Sequence, residues 1–394
     1  MADLLPEIAG GGAVRLLSRL LAPDLSGCVN PDSAELLPLR LAYAQAHGCA
    51  SLLYVNLKRH GLLAQLPAGV VVALKAAYRR DTVRYLRHRH CLLGILDLFE
   101  QAGIETLLLK GAATFCDGLY GDPGARPMGD LDILVPESQK DRARKVLLEN
   151  AFREECPPEA VLAGNMFDRR HHHLPPFYDA RHQVMIEIHY RVCYGQGDRI
   201  LPAERAWRHR EEVVWEGRRT AIPAPAERVL HNVLHALKKE YLSARVNLMQ
   251  VAEFAWLAAR YRERIDWRAL LSLCERQDFR TPLLAYAVLA GELFGTKTPL
   301  LNQAGRWARW NARRLLMGLR FSVPAETPGW REAVWRTALT VYYRLNLLPW
   351  TWRNVCYAPG WQNLPARVGC LLCKLPAGLK AWGDPDYDSR LERL

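Results

Sequence analysis

The chain has 394 residues, 50% of them hydrophobic and 24% charged, with a formal net charge of +12 and a pI near 9.3. That apolar content excludes a disordered chain and allows one to three domains with a sizeable core. The basic balance points to polyanionic partners such as nucleotides, nucleic acid or acidic membrane surfaces, or simply to a solvated basic surface.

Residues 1–100 read as helical. Asp32-Ser33-Ala34-Glu35 has the form of a helix start, and Leu36, Leu37, Leu39, Leu41, Leu52, Leu53 and Leu57 carry an apolar face on to a stop at Gly61. Pro67 opens a longer helix. Its apolar face runs from Val70 to Phe99, and its other face bears Lys75, Arg79, Arg80, Arg84, Arg87 and Arg89. Such a face is a solvated one or, where it fronts a site, an attractor of anionic substrates. Gly103 ends the helix, residues 104–109 form the first strand of a central unit, and Lys110-Gly111 leads into another helix at Ala112. A strand that enters a helix through Lys-Gly presents backbone N–H groups and one ammonium where a phosphate can sit.

Gly118, Gly121, Pro123 and Gly124 then mark a loop leading to Arg126. This arginine can grip a triphosphate with two parallel hydrogen bonds or, alternatively, pair with Asp122 or Asp117. Gly129 lets backbone approach a substrate closely. Asp130 and Asp132 follow, two apart in a strand and so on one face. Neighbouring carboxylates repel unless a cation lies between them. Magnesium is the expected one, with manganese as a substitute, because it takes one or two carboxylates and completes its shell with water and phosphate oxygens.

Residues 137–150 read as an amphipathic helix. Arg169-Arg170-His171-His172-His173 invites a zinc site, but adjacent histidines alternate faces on an extended chain and no cysteine or carboxylate stands at ligand spacing. A strand pairing antiparallel with residues 184–189 is the expected alternative. Within 184–189, Glu187 stands between apolar neighbours, a costly placement unless it is paired or bound to metal. His189 shares its face and can orient Glu187, accept a proton or serve structurally, and Arg191 extends the strand.

Three segments carry a family resemblance: Leu107-Leu-Leu-Lys110-Gly111-Ala-Ala113, Arg126-Pro-Met-Gly129-Asp130-Leu-Asp132-Ile-Leu-Val135, and Ile186-Glu187-Ile-His189-Tyr-Arg191. Together they resemble the bacterial uncharacterised nucleotidyltransferase family of the polymerase-beta-like superfamily. The resemblance implies an α+β fold in which a small mixed β-sheet nucleotidyltransferase core, residues 101–222, is flanked by an N-terminal helical region, 1–100, and a C-terminal one, 223–394. It implies attack of an acceptor on the alpha phosphorus of a nucleoside triphosphate, ATP among the candidates, with release of pyrophosphate. Asp130, Asp132 and Glu187 would hold two magnesium ions, and Glu187 would help to activate the nucleophile. Lys110, Gly111, Arg126 and Gly129 would hold the triphosphate, with His189 and Arg191 as accessory groups. The acceptor is left open among small molecules, sugars, peptides and nucleic acids.

Two departures from the family pattern stand out. The superfamily's glycine turn continues Gly-Ser or Gly-Gly, whereas Gly111 lies between Lys110 and Ala112, so the ammonium would replace the lost hydroxyl. Gln250 stands where the family often has an aspartate, which removes an acidic contact expected from that helix.

After a hairpin at residues 213–220, Pro225 opens a helix with His231 and His235 on one face. The residues between them are Asn-Val-Leu, so no metalloprotease helix is formed. Trp307, Trp310, Trp330, Trp335, Trp350, Trp352 and Trp361 lie among arginines in the remaining helical stretch. That pattern fits packing in an accessory helical region better than a peripheral membrane face or a nucleic-acid stacking platform. Ten scattered cysteines read as reduced, buried thiols, and Cys370-Leu-Leu-Cys373 has no second pair. No run of about 18 uncharged apolar residues marks a spanning helix and no signal peptide is evident, so a cytoplasmic protein is expected. Two rival readings use the same residues differently: a catalytically silent nucleotide-binding scaffold, and a nucleic-acid-binding protein using the basic, Trp-rich tail.

Overall fold

The computed structural model describes residues 9–24, 37–155, 172–193, 196–243 and 246–320. Helices α1 (Ala9–Leu20), α2 (Leu37–Ala46) and α3 (Ala50–Arg59) come first. The single helix expected to run through Leu57 is broken between α2 and α3. Gly48 takes a left-handed φ of 64°, and Cys49 N donates back to Ala44 O at 2.7 Å, which closes α2 in the manner of a glycine C-cap. The expected start at Asp32 lies outside the described residues. Successive glycines in α1 give little helical signal, and burial of Val14, Leu17 and Leu21 holds it in place instead. Helix α4 (Ala68–Gln101) runs for 34 residues after Pro67 and stops, as expected, where Gly103 turns left-handed.

The central unit is β1 (Leu107–Leu108), α5 (Lys110–Asp117), β2 (Asp130–Leu134), α6 (Lys140–Glu149), β3 (Arg153–Glu154), β4 (Phe177–Asp179) and β5 (Val184–His189), then α7 (Gln196–Ile200), α8 (Ala203–Arg208), β6 (Arg210–Trp215) and β7 (Arg218–Pro223). The first strand is shorter than the sequence suggests. Leu109 N still donates to Asp132 O at 3.0 Å, after which the chain turns into α5. The seven strands form one mixed sheet in the order β3-β4-β5-β2-β1-β7-β6, with β2/β5 and β1/β7 parallel and the other pairs antiparallel. β6 and β7 make the expected hairpin through Glu216 (φ 49°) and Gly217 (φ 81°), the two positive φ angles that a tight twisted hairpin requires.

Helices α9 (Pro225–Ser243), α10 (Leu248–Arg260), α11 (Trp267–Arg276), α12 (Arg280–Phe294) and α13 (Arg306–Arg320) complete the described chain. The architecture is α+β, as the resemblance implies.

Alternation along the strands sends their residues into two cores. Leu131, Ile133, Ile186 and Ile188 are buried against Leu92, Ile95 and Phe99 of α4 and Ala143 and Leu147 of α6. On the opposite face Leu107, Leu109, Leu134 and Ala221 join a larger core shared by α1, α3 and the C-terminal helices, with Leu17, Leu52, Phe254 and Leu289 fully buried in it. Polar ties cross that core. Trp256 Nε1 donates to Leu21 O at 3.0 Å, and Asn56 Nδ2 donates to Leu20 O and Ala22 O, each at 3.0 Å.

The basic face of α4 is partly committed to neighbours. Arg89 Nε donates to Glu216 Oε1 at 2.6 Å, while Arg80 and Arg84 lie 3.5 and 3.7 Å from Asp81. α13 buries Ala308, Ala312, Leu315, Leu316 and Leu319 but turns Trp307 and Trp310 outward, at 61% and 39% exposure. Off the apolar stripe, the two rings still meet edge to face with centroids 6.1 Å apart, and the Arg306 and Arg314 guanidinium groups lie over Trp307 and Trp310, the aromatic and arginine packing expected of this stretch. The other tryptophans of the tail lie outside the described residues. Among the described cysteines, Cys49, Cys91, Cys193 and Cys274 are buried and unbridged. No helix among the described residues is long and apolar enough to cross a membrane.

Candidate active site

Strands β2 and β5 lie side by side and parallel, with Asp132 opposite Glu187 and Leu134 opposite His189. In-register partners share a face, so the alternation that buries Leu131 and Ile133 under α4 puts Asp130, Asp132, Glu187 and His189 together on the other face. Asp132 and His189 are almost wholly buried, Glu187 partly so, and Asp130 lies at the more open end of the row.

Lys110 enters this row from the side. It is the first residue of α5 and takes a positive φ of 45°, rare for a side chain larger than glycine. That twist aims Nζ at Asp132 Oδ1, 2.5 Å away, with Glu187 Oε2 at 3.9 Å. His189 Nε2 sits 3.0 Å from Asp132 Oδ1 and 3.3 Å from Glu187 Oε2, while its Nδ1 faces Arg191 O at 3.3 Å. Acceptors at both ring nitrogens favour the doubly protonated imidazolium. Burial opposes that charge, but hydrogen bonds to Asp132 and Glu187 outweigh it and raise the His189 pKa.

The carboxylates divide by their partners. Burial disfavours the Asp132 anion, yet the Lys110 ammonium and His189 hold it well below the usual carboxylate range. Glu187 is lowered too, its burial offset chiefly by the hydrogen bond with His189. The Asp130 side chain makes no hydrogen bond or ion pair among the described residues, and the Asp132 charge beside it, together with burial, pushes its pKa up to about 6. Three carboxylates thus face two cations, and the uncompensated negative charge is at Asp130.

This donor set fits a divalent cation. Ligand atoms of Asp132, Glu187 and His189 lie within 4.8 Å of one another, the oxygen-rich row ends in the unneutralised Asp130, and an ammonium already stands among the carboxylates. Gly129, directly before Asp130, has nothing within 4 Å of where a Cβ would be, leaving approach to the carboxylate clear.

The other expected groups have protein partners of their own. Arg126 Nε donates to Glu253 Oε2 at 2.7 Å and Nη1 to Pro127 O at 3.3 Å, so its partner is neither Asp122 nor Asp117. Glu253, on α10, also accepts from Tyr120 Oη at 3.3 Å. The helix that carries Gln250 thus does offer an acidic contact, from Glu253 three residues on. Gly111 serves this packing, since a Cβ there would collide with the Arg126 guanidinium and lie 2.8 Å from Met128 Sδ. Arg191 is directed away from the carboxylate row, with Nη2 3.9 Å from Glu137 Oε1 and its guanidinium over the Tyr190 ring.

Sequence reasoning missed the floor and the wall of the site. His173 pairs with His189 across an antiparallel bridge, its Nε2 is 3.8 Å from Glu187 Oε1, and its ring and that of His172 lie 5.3 and 5.0 Å from the His189 ring. The extended pairing expected for this histidine run is present, whereas residues 169–171 lie outside the described residues. Beside Lys110 and Arg126 a narrow cleft of about 60 Å³ is walled by Pro223, Arg228, His231, Asn232 and His235 with Gln250 and Glu253. His231 and His235 are thus cleft residues, and their shared helical face was the signal available in the sequence. Glu253, a lone carboxylate in an apolar helical run, was detectable in the same way as Glu187.

One solved structure that the chain is similar to is an antigenic nucleotidyltransferase-like protein from Paracoccidioides brasiliensis, at 15% identity and a TM-score of 0.30, over 48% of this chain and 88% of that one, a likeness too slight to argue from. No curated protein matches the chain. The profile of the family described as "Uncharacterised nucleotidyltransferase" matches residues 38–295, a span that holds Lys110, the Asp130–Asp132 strand, Glu187, His189 and Glu253, and the chain belongs to that family.

Proposed function

We propose that the protein transfers a nucleoside monophosphate from a nucleoside triphosphate to an acceptor and releases pyrophosphate, with Asp130, Asp132 and Glu187 as the metal-binding carboxylates. The observation that carries this reading is the row of three carboxylates on adjacent parallel strands, two of them neutralised by Lys110 and His189 and the third, Asp130, left without a cation. Magnesium bound there would polarise the alpha phosphate and lower the pKa of an attacking hydroxyl. His189 holds Asp132 and Glu187 in place through one nitrogen shared between them. Lys110 has two stations in this scheme: on Asp132, where it substitutes for metal charge, and on the triphosphate, where it offsets charge on the leaving group. Arg126, anchored by Glu253, flanks the narrow cleft beside Lys110, on the side from which phosphate groups would approach the carboxylate row.

The test is transfer of label from each alpha-labelled nucleoside triphosphate to pooled acceptors, with pyrophosphate release measured in parallel. Magnesium-dependent label transfer that vanishes with Asp130→Asn supports the assignment, and transfer that survives this substitution sinks it. Lys110 gives a separate check. With Lys110→Met the carboxylates lose their ammonium, so the metal-free protein should melt lower and gain more from added magnesium than the wild type does. A thermal scan across magnesium concentrations measures both, and an equal magnesium response in the two proteins would remove Lys110 from the metal's position.

A further inference from the structure

A second group of ligand-type side chains lies on the other side of the sheet. Cys91, on α4, is 1% exposed in the core that holds Leu131 and Ile133, the residues alternating with Asp130 and Asp132. Asp179 ends β4, and His182 lies in the turn that leads from it to β5. Atoms of Cys91, Asp179 and His182 lie within 4.8 Å of one another, although α4 and the turn are far apart in sequence. Asp179 uses its two oxygens differently. Oδ1 accepts from Arg181 N at 2.9 Å and His182 N at 3.2 Å, which fixes the carboxylate, Oδ2 faces His182 Nδ1 at 2.5 Å, and the Cys91 thiol donates to the same carboxylate.

We propose that Cys91, Asp179 and His182 bind a zinc ion that clamps the β4–β5 turn onto α4. The chemistry of the set selects the metal. A thiolate and an imidazole are poor ligands for magnesium and good ones for zinc, and three protein ligands leave the fourth tetrahedral position to water on the part-exposed His182 side. The ion takes the place of the thiol proton, which leaves to solvent, and of the proton on His182 Nδ1, so that the ring binds as a neutral imidazole with its one proton on Nε2. Two anionic ligands and one neutral imidazole then offset the ion's charge. Burial raises the Cys91 pKa strongly, so a thiolate forms at this position only with a cation beside it. Asp179 Oδ1, held by two backbone N–H groups, supplies the outer support that positions a metal ligand. The ring of His90, next to Cys91 on α4, lies parallel to that of His182 with centroids 6.2 Å apart and fixes the imidazole plane.

The site is independent of the carboxylate row, which contains no thiol, and cobalt therefore separates the two. The full chain, stripped of metal with a chelator, is titrated with cobalt(II) and read as a difference spectrum on the long-wavelength side of the tryptophan absorption, where a thiolate ligand gives cobalt a charge-transfer band and carboxylate ligands give none. One equivalent of charge-transfer band, displaced by zinc and not by magnesium, is expected in the wild type and in Asp130→Asn. Cys91→Ser should abolish the band. His182→Ala, on the surface turn, should reduce it at least tenfold in cobalt affinity and serves where the buried serine variant fails to fold. No band in folded wild type, or a band that persists in Cys91→Ser or keeps its full affinity in His182→Ala, overturns the proposal.

Discussion

Asp130→Asn is expected to make the metal-free protein more stable at pH 7 while abolishing magnesium-dependent transfer. A carboxyl whose pKa rises from 3.8 to about 6 on folding disfavours the ionised folded chain by about 1–3 kcal/mol, the lower end allowing for solvent beside this part-exposed group. The sign follows from proton counting. Between about pH 4 and 6 the folded chain keeps a proton that the unfolded chain has lost, so this group's contribution to stability falls as pH rises and is fully unfavourable above pH 6. The amide carries no charge, so the variant's advantage should be largest at pH 7 to 8 and gone by about pH 4. Activity should move the other way. Losing one metal-binding carboxylate removes several kcal/mol of transition-state stabilisation, which at 1.4 kcal/mol per tenfold is a loss of about a thousandfold. Denaturant melts at pH 4 and 7.5, run beside the transfer assay, check both halves. A variant less stable than wild type at pH 7.5 would mean that Asp130 is not the uncompensated charge.

The second large effect is expected at the other end of α5 from Lys110. Asp117, at the end of α5, accepts from Arg228 Nη1 of α9 and from Tyr261 Oη at 2.6 Å, and the Arg228 and Asp117 side chains are 6% and 8% exposed. Arg228 keeps its charge because Asp117 outweighs the burial that opposes it. Asp117→Ala would leave a guanidinium buried without its counter-charge, at a cost of about 3–5 kcal/mol. Arg144→Ala, which removes an exposed pair with Glu154, should cost under about 1 kcal/mol and calibrates the measurement. Urea midpoints at unchanged slope give both values. A loss under about 1 kcal/mol for Asp117→Ala would show that water reaches Arg228. The pair matters for the site because α5 begins at Lys110 and Arg228 lines the cleft, so loosening their joint should also weaken nucleotide binding.

What could be read from the sequence was local and periodic. Asp130 and Asp132 two apart in an apolar strand, and Glu187 in another, are patterns that point to a buried acidic row, and the β6–β7 hairpin falls on the expected residues 213–220. Positions set by distant partners were not legible. Arg126 had near-sequence carboxylates to choose from, yet α10 brings Glu253 against it across more than a hundred residues of chain. The positive φ of Lys110 follows from the β1–α5 turn and not from any preference of lysine, so its reach to Asp132 had no local signal. Likewise Arg191 follows the strand pattern that placed His189 correctly, but the strand ends at His189 and the alternation ends with it. The cysteine count suggested inert thiols, and only the folded position of Cys91 beside Asp179 and His182 changes that reading.

Calorimetric titration of each magnesium-bound, non-hydrolysable nucleoside triphosphate into wild type and Asp130→Asn tests the assignment of the carboxylate row most directly. Saturable binding to the wild type that requires magnesium and is lost in a folded Asp130→Asn variant is the expected result, and it names the donor nucleotide. Binding that proceeds equally without magnesium or equally in the variant, or no binding of any of the four to folded wild type, would contradict it.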